Sequence, residues 1–285
     1  MSDAEFFQHT NEASAIVDDE LAQRFRATLH PYVADQVATE APLGLHWCLF
    51  LPVDPLSSLK PDGHSADHPL LPRFPGTRRM WAGGEIEFLA PLPLSTAVQR
   101  VSRLLELEDK QGGSGRFHLA KIEHVLTCSG VPVIRERQDL VFLPARPAAS
   151  VAPQGANQPR PAPAARTIAG ADRVWVGHAS EVLLFRYSAI TFNAHRIHYD
   201  RPYATEVEGY SGVVVHGPLQ ASVLMNLAQE QARRIPRRFT YRGIAPLIAG
   251  QAFAACAASI QGDAIDLWMQ DAAGTVTMRA RAVFQ

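Results

Sequence analysis

Sixteen consecutive residues, 185–200, read FRYSAITFNAHRIHYD and gather two histidines, two arginines, two tyrosines and an asparagine. An imidazole gives and takes protons near neutral pH, so His195 and His198 are candidates for general acid–base work. Asn193 cannot be a base, because a neutral amide has no useful proton affinity at pH 7. It can instead fix a water molecule by accepting a hydrogen bond. Loops held by a rigid scaffold are where such groups collect. Each residue also has a plainer use. An isolated loop histidine more often completes a hydrogen-bonded turn, and an asparagine is a common turn residue. His195 either lines a site or holds the loop, Tyr187 and Ser188 suit packing, and Asp200 suits a cap or an ion pair. The His-x-x-His pair invites a zinc ion, but no third ligand stands at a suitable spacing, so no metal is expected.

The elements around this patch must place it. Residues 181–192 lead in, and residues 212–215 lead out to His216-Gly217-Pro218. The following segment, 219–231 (LQASVLMNLAQEQ), is a helix candidate that is apolar on nearly all faces in its first turns, hence buried. Pro218 sits where a first-turn proline is tolerated. Strand-like runs follow at 239–241, 252–260, 264–270 and 276–284. Upstream, Asp18 or Asp19 can cap a helix over 18–29 with Leu21, Phe25 and Leu29 on one stripe. Residues 81–88 read as a strand, and 97–108 is ambiguous between strand and helix. Gly112-Gly113-Ser114-Gly115 turns into 117–128, and 132–143 completes an antiparallel set.

A segment rich in proline and alanine, PARPAASVAPQGANQPRPAPAAR, divides the chain of 285 residues. It predicts a linker over 146–166 between units at 1–145 and 167–285, each of domain size. Hydrophobic residues make up 47% and charged residues 19%, with a net charge of -1. That balance suits a globular protein with a real core and gives no footprint for nucleic acid. Three dispersed cysteines argue against a disulfide framework and fit a reducing cytosol. No apolar run is long enough to span a bilayer, so a cytoplasmic protein is expected.

The patch resembles the MaoC-like dehydratase and (R)-specific enoyl-CoA hydratase family, whose signature runs Tyr-x-x-x-Ser-Gly-Asp-x-Asn-Pro-Ile-His. The catalytic histidine of that signature falls on His198 and its aspartate on Asn193. Its asparagine and proline fall on His195 and Arg196, which depart from it. TFNAHRIHYD resembles one branch, the mitochondrial-type 3-hydroxyacyl-thioester dehydratases and bacterial mesaconyl-C4-CoA (3-methylfumaryl-CoA) hydratases, where Asn stands at the Asp position. Val215-His216-Gly217-Pro218-Leu219, the stretch from Arg78 to Gly84, residues 137–142 and Leu45-His46-Trp47 are similar to the same branch.

The resemblance implies an α+β double hotdog, two antiparallel sheets each wrapped on a central helix. The second unit would carry the site; the first would be degenerate and help form the acyl tunnel. The implied chemistry is reversible hydration of an enoyl thioester by a hydro-lyase without a cofactor. His198 would be the base and Asn193 would hold the water. The Gly217 N–H at a helix N-terminus would meet the developing oxyanion, and the missing side chain would let substrate approach. His195, His216, Tyr187 and Arg196 join as substrate-binding candidates. The leading activity is hydration of mesaconyl-C4-CoA to citramalyl-CoA. That substrate carries a free carboxylate, for which Arg186, Arg196, Arg78 and Arg79 are candidates. The alternatives are a 3-hydroxyacyl-ACP or 3-hydroxyacyl-CoA dehydratase of fatty-acid synthesis, which needs a long apolar tunnel, and a hotdog that only binds acyl groups. The implied partner is an acyl-CoA or acyl-carrier-protein thioester, and the family leaves room for a homodimer.

Overall fold

A computed structural model describes residues 3–34, 39–112, 115–145 and 168–285. The predicted linker and the tip of the Gly112–Gly115 turn lie outside the described residues. The first half contains α1 (Asp3–Gln8), β1 (Thr10–Val17), α2 (Asp19–Leu29), β2 (Thr77–Phe88), β3 (Thr96–Gly112), β4 (Gly115–Cys128) and β5 (Val131–Pro144). The second contains β6 (Arg173–His178), α3 (Glu181–Thr191), α4 (Gly217–Ala232), β7 (Arg238–Gly243), β8 (Ala252–Ala257), β9 (Ala264–Asp271) and β10 (Val276–Val283).

All strands lie in one antiparallel sheet of order β1-β3-β4-β5-β2-β7-β10-β9-β8-β6. Each half therefore has the same internal order, and the halves meet where β2 pairs with β7, from Gly83↔Arg242 to Glu87↔Arg238. The double hotdog is this repeat, with its two sheets fused. The ambiguous segment at 97–108 lies within strand β3, paired along its length with β4. Strands β1 and β6 were not visible in the residue pattern. They are the two outer edges of the sheet, and β1 (TNEASAIV) has only two large apolar residues to mark an alternation.

Helix α4 is enclosed, with every residue from 219 to 229 buried. Two of its buried polar side chains are matched: Thr277 Oγ1 donates to Gln220 Oε1 at 2.8 Å, and Asn226 Nδ2 donates to the carbonyls of Leu43 (3.0 Å) and Ser222 (2.8 Å). The Asn226 amide also accepts from the Ala34 N–H at 3.2 Å, so a second-half helix holds first-half backbone in place. The first half has no counterpart helix among the described residues. Its place after α2 is taken by short 3-10 turns, Leu45–Cys48 and Leu56–Ser58. Pro52 and Pro55 follow closely, and an interior proline removes a helix hydrogen bond and clashes with the preceding turn. A cavity of about 120 Å³ remains there, lined by His46, Trp47, Arg100, His124, Glu136 and Gln138 among others. None of the helices among the described residues is long and apolar enough to cross a membrane.

Candidate active site

The residues of the 185–200 patch do not form one loop. Ser180 caps α3 by accepting the Leu183 N–H at 3.2 Å, so residues 185–191 are helical. The helix stops at Phe192, whose φ of 47° is left-handed. Glycine usually takes this position; a bulky residue there is strained by on the order of 1–3 kcal/mol and needs a surrounding structure that enforces it. The stop turns Asn193 into the site loop. Its N–H donates to Ser188 O at 2.9 Å, and its Oδ1 accepts the His195 N–H at 2.9 Å. A 3-10 turn, Arg196–His198, then presents the histidine.

The first half braces this loop. Arg196 donates its backbone N–H to Asp62 O at 2.9 Å and a guanidinium N–H to Pro61 O at 3.0 Å. Gly63, at φ 90°, lies so close to Ala194 O that a side chain would overlap it. Arg196 is otherwise committed to Asp200, with contacts of 2.9 and 2.7 Å, and lies over the Tyr203 ring at 4.2 Å. It therefore locks the loop.

His198 is buried. Its Nδ1 lies 2.7 Å from the Val214 carbonyl, which can only accept, so Nδ1 carries the proton and Nε2 keeps its lone pair. Burial lowers its pKa to about 4, with the Val214 bond pulling the other way. The neutral, basic form is therefore the resting form at pH 7. His216 stacks on it at 3.7 Å and is held by Ser188 Oγ at 2.9 Å. Burial, then the charges of His198 and His195, push His216 well below the ordinary histidine range. Tyr187 lies behind His216 in the core, with ring centroids 5.1 Å apart. His195 meets His198 edge-on at 5.4 Å.

Gly217 opens α4, and its N–H has no acceptor among the described residues. Its bare Cα has a use that the sequence does not show. A Cβ would meet Trp81 Cε3 at 2.6 Å, so the glycine makes room for an indole of the first half. Trp81 stands at a bulge in β2 and stacks on Tyr241 at 4.5 Å. Bulges re-aim side chains in this way.

Two further residues, Asp62 and His64, reach the site from the first half, and no local spacing announces them. His64 lies 4.0 Å from His195, ring to ring. Asp62 meets His64 Nδ1 at 3.2 Å and Lys60 Nζ at 3.1 Å. Burial alone would raise the Asp62 carboxyl, but the bonds and charge of His64, with Lys60, hold it well below its usual range. Arg79 stands beside this group, and its charge acts on His64, His195 and His68. A third ligand absent from the local spacing thus exists in space, since donor atoms of Asp62, His64 and His195 lie within 4.8 Å of one another. Lys60 and Arg79 already supply the positive charge there, and a divalent ion would enter against both. His198 stands apart from that cluster, on Val214.

A family model for hydroxyacyl-thioester dehydratase type 2 matches residues 44–249, from the turn that replaces the first helix through α4 and β7. The chain belongs to the hydroxyacyl-thioester dehydratase type 2 family. It is accordingly a hydro-lyase. A mesaconyl-C(4)-CoA hydratase of Chloroflexus aurantiacus is 38% identical, with 98% of each chain covered. Among solved structures, a MaoC-like dehydratase from Phytophthora capsici superposes with a TM-score of 0.72 at 15% identity, covering 100% of this chain and 98% of that one. A Mycobacterium tuberculosis protein described as a double hotdog gives 0.53 at 12% identity, covering 96% and 95%. At such identities the structures bear on fold alone. For this hydroxyacyl-thioester dehydratase type 2 member, they agree with the strand order repeated in its two halves.

Proposed function

We propose that the chain is a hydratase that adds water across the double bond of mesaconyl-C4-CoA to give citramalyl-CoA. The observation that carries the chemistry is His198, a buried neutral imidazole whose tautomer is fixed by Val214 and whose Nε2 is left basic. Nε2 takes a proton from water, the water oxygen bonds to the β-carbon, and charge moves to the thioester oxygen. The Gly217 N–H at the N-terminus of α4 suits that charge. The proton held on His198 then passes to the α-carbon, so H and OH are both delivered. Asn193 holds the water, and because its Oδ1 already accepts from His195, its NH₂ is the free donor. His195 and His216 flank the base, and Tyr187 and Arg196 support the site from behind and below.

The 38% identical relative supports mesaconyl-C4-CoA as the substrate. The units 1–145 and 167–285 are, in this reading, a degenerate and a catalytic hotdog. Three buried free cysteines support a reducing cytoplasm. A homodimer would cover the exposed stripe Val182, Phe185 and Phe192, which follows helical spacing along α3.

The test is a panel of mesaconyl-C4-CoA, crotonyl-CoA and longer enoyl thioesters, followed by loss of enoyl absorbance. The expected kcat/KM is about 10²-fold or more in favour of mesaconyl-C4-CoA, since a site built for a polar group rejects the analogue lacking it. Equal turnover of crotonyl-CoA would overturn the assignment.

A further inference from the structure

We propose that Arg79 is the receptor for the free carboxylate of the substrate, and so the residue that separates dicarboxylic from monocarboxylic thioesters. This rests on the hydratase reading above. Four arginines could serve; the structure commits two of them elsewhere and leaves a third on the surface. Arg196 is fixed on Asp200 and Tyr203. Arg78 lies 3.8 Å from Glu208 and donates to the Tyr210 hydroxyl at 3.3 Å. Arg186 is exposed on α3.

Arg79 differs in every respect. It lies deep among protein atoms yet keeps part of its surface open to solvent, as a group in the floor of a cleft does. Among the described residues it has no side-chain hydrogen bond and no ion pair within 4.0 Å. The nearest anion, Asp62, is taken by His64 and Lys60. A desolvated cation without a direct partner is costly, and an incoming carboxylate removes that cost. A guanidinium presents a planar fork that binds a carboxylate through two parallel bonds.

The position also fits. Arg79 and Trp81 are two residues apart on β2 and share one face of the strand. Trp81 lies on Gly217, where the oxyanion forms, and Arg79 lies beside His64 and His195. Two strand residues span roughly 7 Å. The trans four-carbon skeleton of the substrate spans about 4 Å between its end carbons, three C–C bonds of about 1.5 Å. Its two oxygen-bearing ends can therefore reach both places, with the β-carbon held towards the histidines.

The experiment compares wild type with Arg79→Gln and Arg79→Lys. Arg79→Gln should lower kcat/KM for mesaconyl-C4-CoA by about 10²-fold or more, the effect of truncating one partner of a buried charge pair. Hydration of crotonyl-CoA should stay within a few fold. Arg79→Lys keeps the charge without the fork and should fall between. A second measurement needs no turnover: calorimetric binding of succinyl-CoA and butyryl-CoA, which lack the double bond. The wild-type preference for succinyl-CoA should collapse in Arg79→Gln, or shrink in Arg79→Lys should the glutamine variant not fold. Equal losses on both enoyl substrates, or an unchanged binding ratio, would overturn the role of Arg79 while leaving the hydratase assignment standing. A wild type that ignores mesaconyl-C4-CoA but loses its succinyl-CoA preference on substitution would do the reverse.

Discussion

In the second half, a 16-residue helix lies on β7–β10 with a histidine-bearing loop at its N-terminus. On the matching face of β3–β5, the first half carries the turn Leu45–Cys48 and a cavity of mixed lining that includes Glu136 and His46. Glu136 is buried there, raised by burial and held by Trp47 Nε1 at 2.8 Å. His46 stands 3.7 Å from it. The strand order is the same, so the difference lies in what the sheet supports. The first half has lost the helix N-terminus that an oxyanion needs. Released from that task, it sends Asp62, His64, Arg79 and Trp81 across to the other site.

The proposed division between a half that reacts and a half that recognises can be broken at several points. The largest effect belongs to His198→Ala, which should lower kcat by about 10²–10⁴-fold while circular dichroism stays native. Activity within a few fold of wild type would take the base out of the second half. Acid should come next, and here the halves behave alike. His46, His68 and His124 are depressed to about 3, and His64 and His198 to about 4, all chiefly by burial. Unfolded, these groups bind protons near 6.5. Between those values the unfolded chain holds more protons, so stability is full above pH 6.5 and is lost as pH falls towards 4. Denaturant midpoints measured from pH 7.5 to 4.5 should show this fall, whereas kcat/KM should hold until pH nears 4. An activity loss centred at 6.5 would mean a solvent-exposed base. Smallest is Gly217→Ala, which presses a methyl on Trp81 and should cost about 1–3 kcal/mol in unfolding free energy. An unchanged value would show that the indole moves aside freely.

Asn193 and His198 could be paired as candidates because they are neighbours in sequence, and the structure places both in one loop. Helix α4 was legible, since its apolar run and Gly217-Pro218 start are local signals. The helix expected in the first half was ruled out by Pro52 and Pro55, a local signal that the family resemblance outweighed. Arg79 stood as one of four equal candidates, because pairing partners such as Glu208 and Asp200 are set by the fold. Asp62 and His64 were silent for a deeper reason. They lie about 130 residues before the loop they brace, and only the β2–β7 junction and the docking of Gly63 on Ala194 bring them there. The packing of Trp81 on Gly217 is equally silent, because a sequence shows that a side chain is missing without showing what fills the gap.

The seam at β2–β7 has a consequence for how such a protein changes over generations. In the proposed reading, the groups that meet the distinguishing part of the acyl chain and the group that moves the proton sit on different repeats of a duplicated unit. Drift in the segment from Lys60 to Trp81 can therefore explore new substrates while the reacting machinery is inherited intact. A designer could exploit the same freedom by exchanging that segment between relatives and leaving everything after residue 168 untouched.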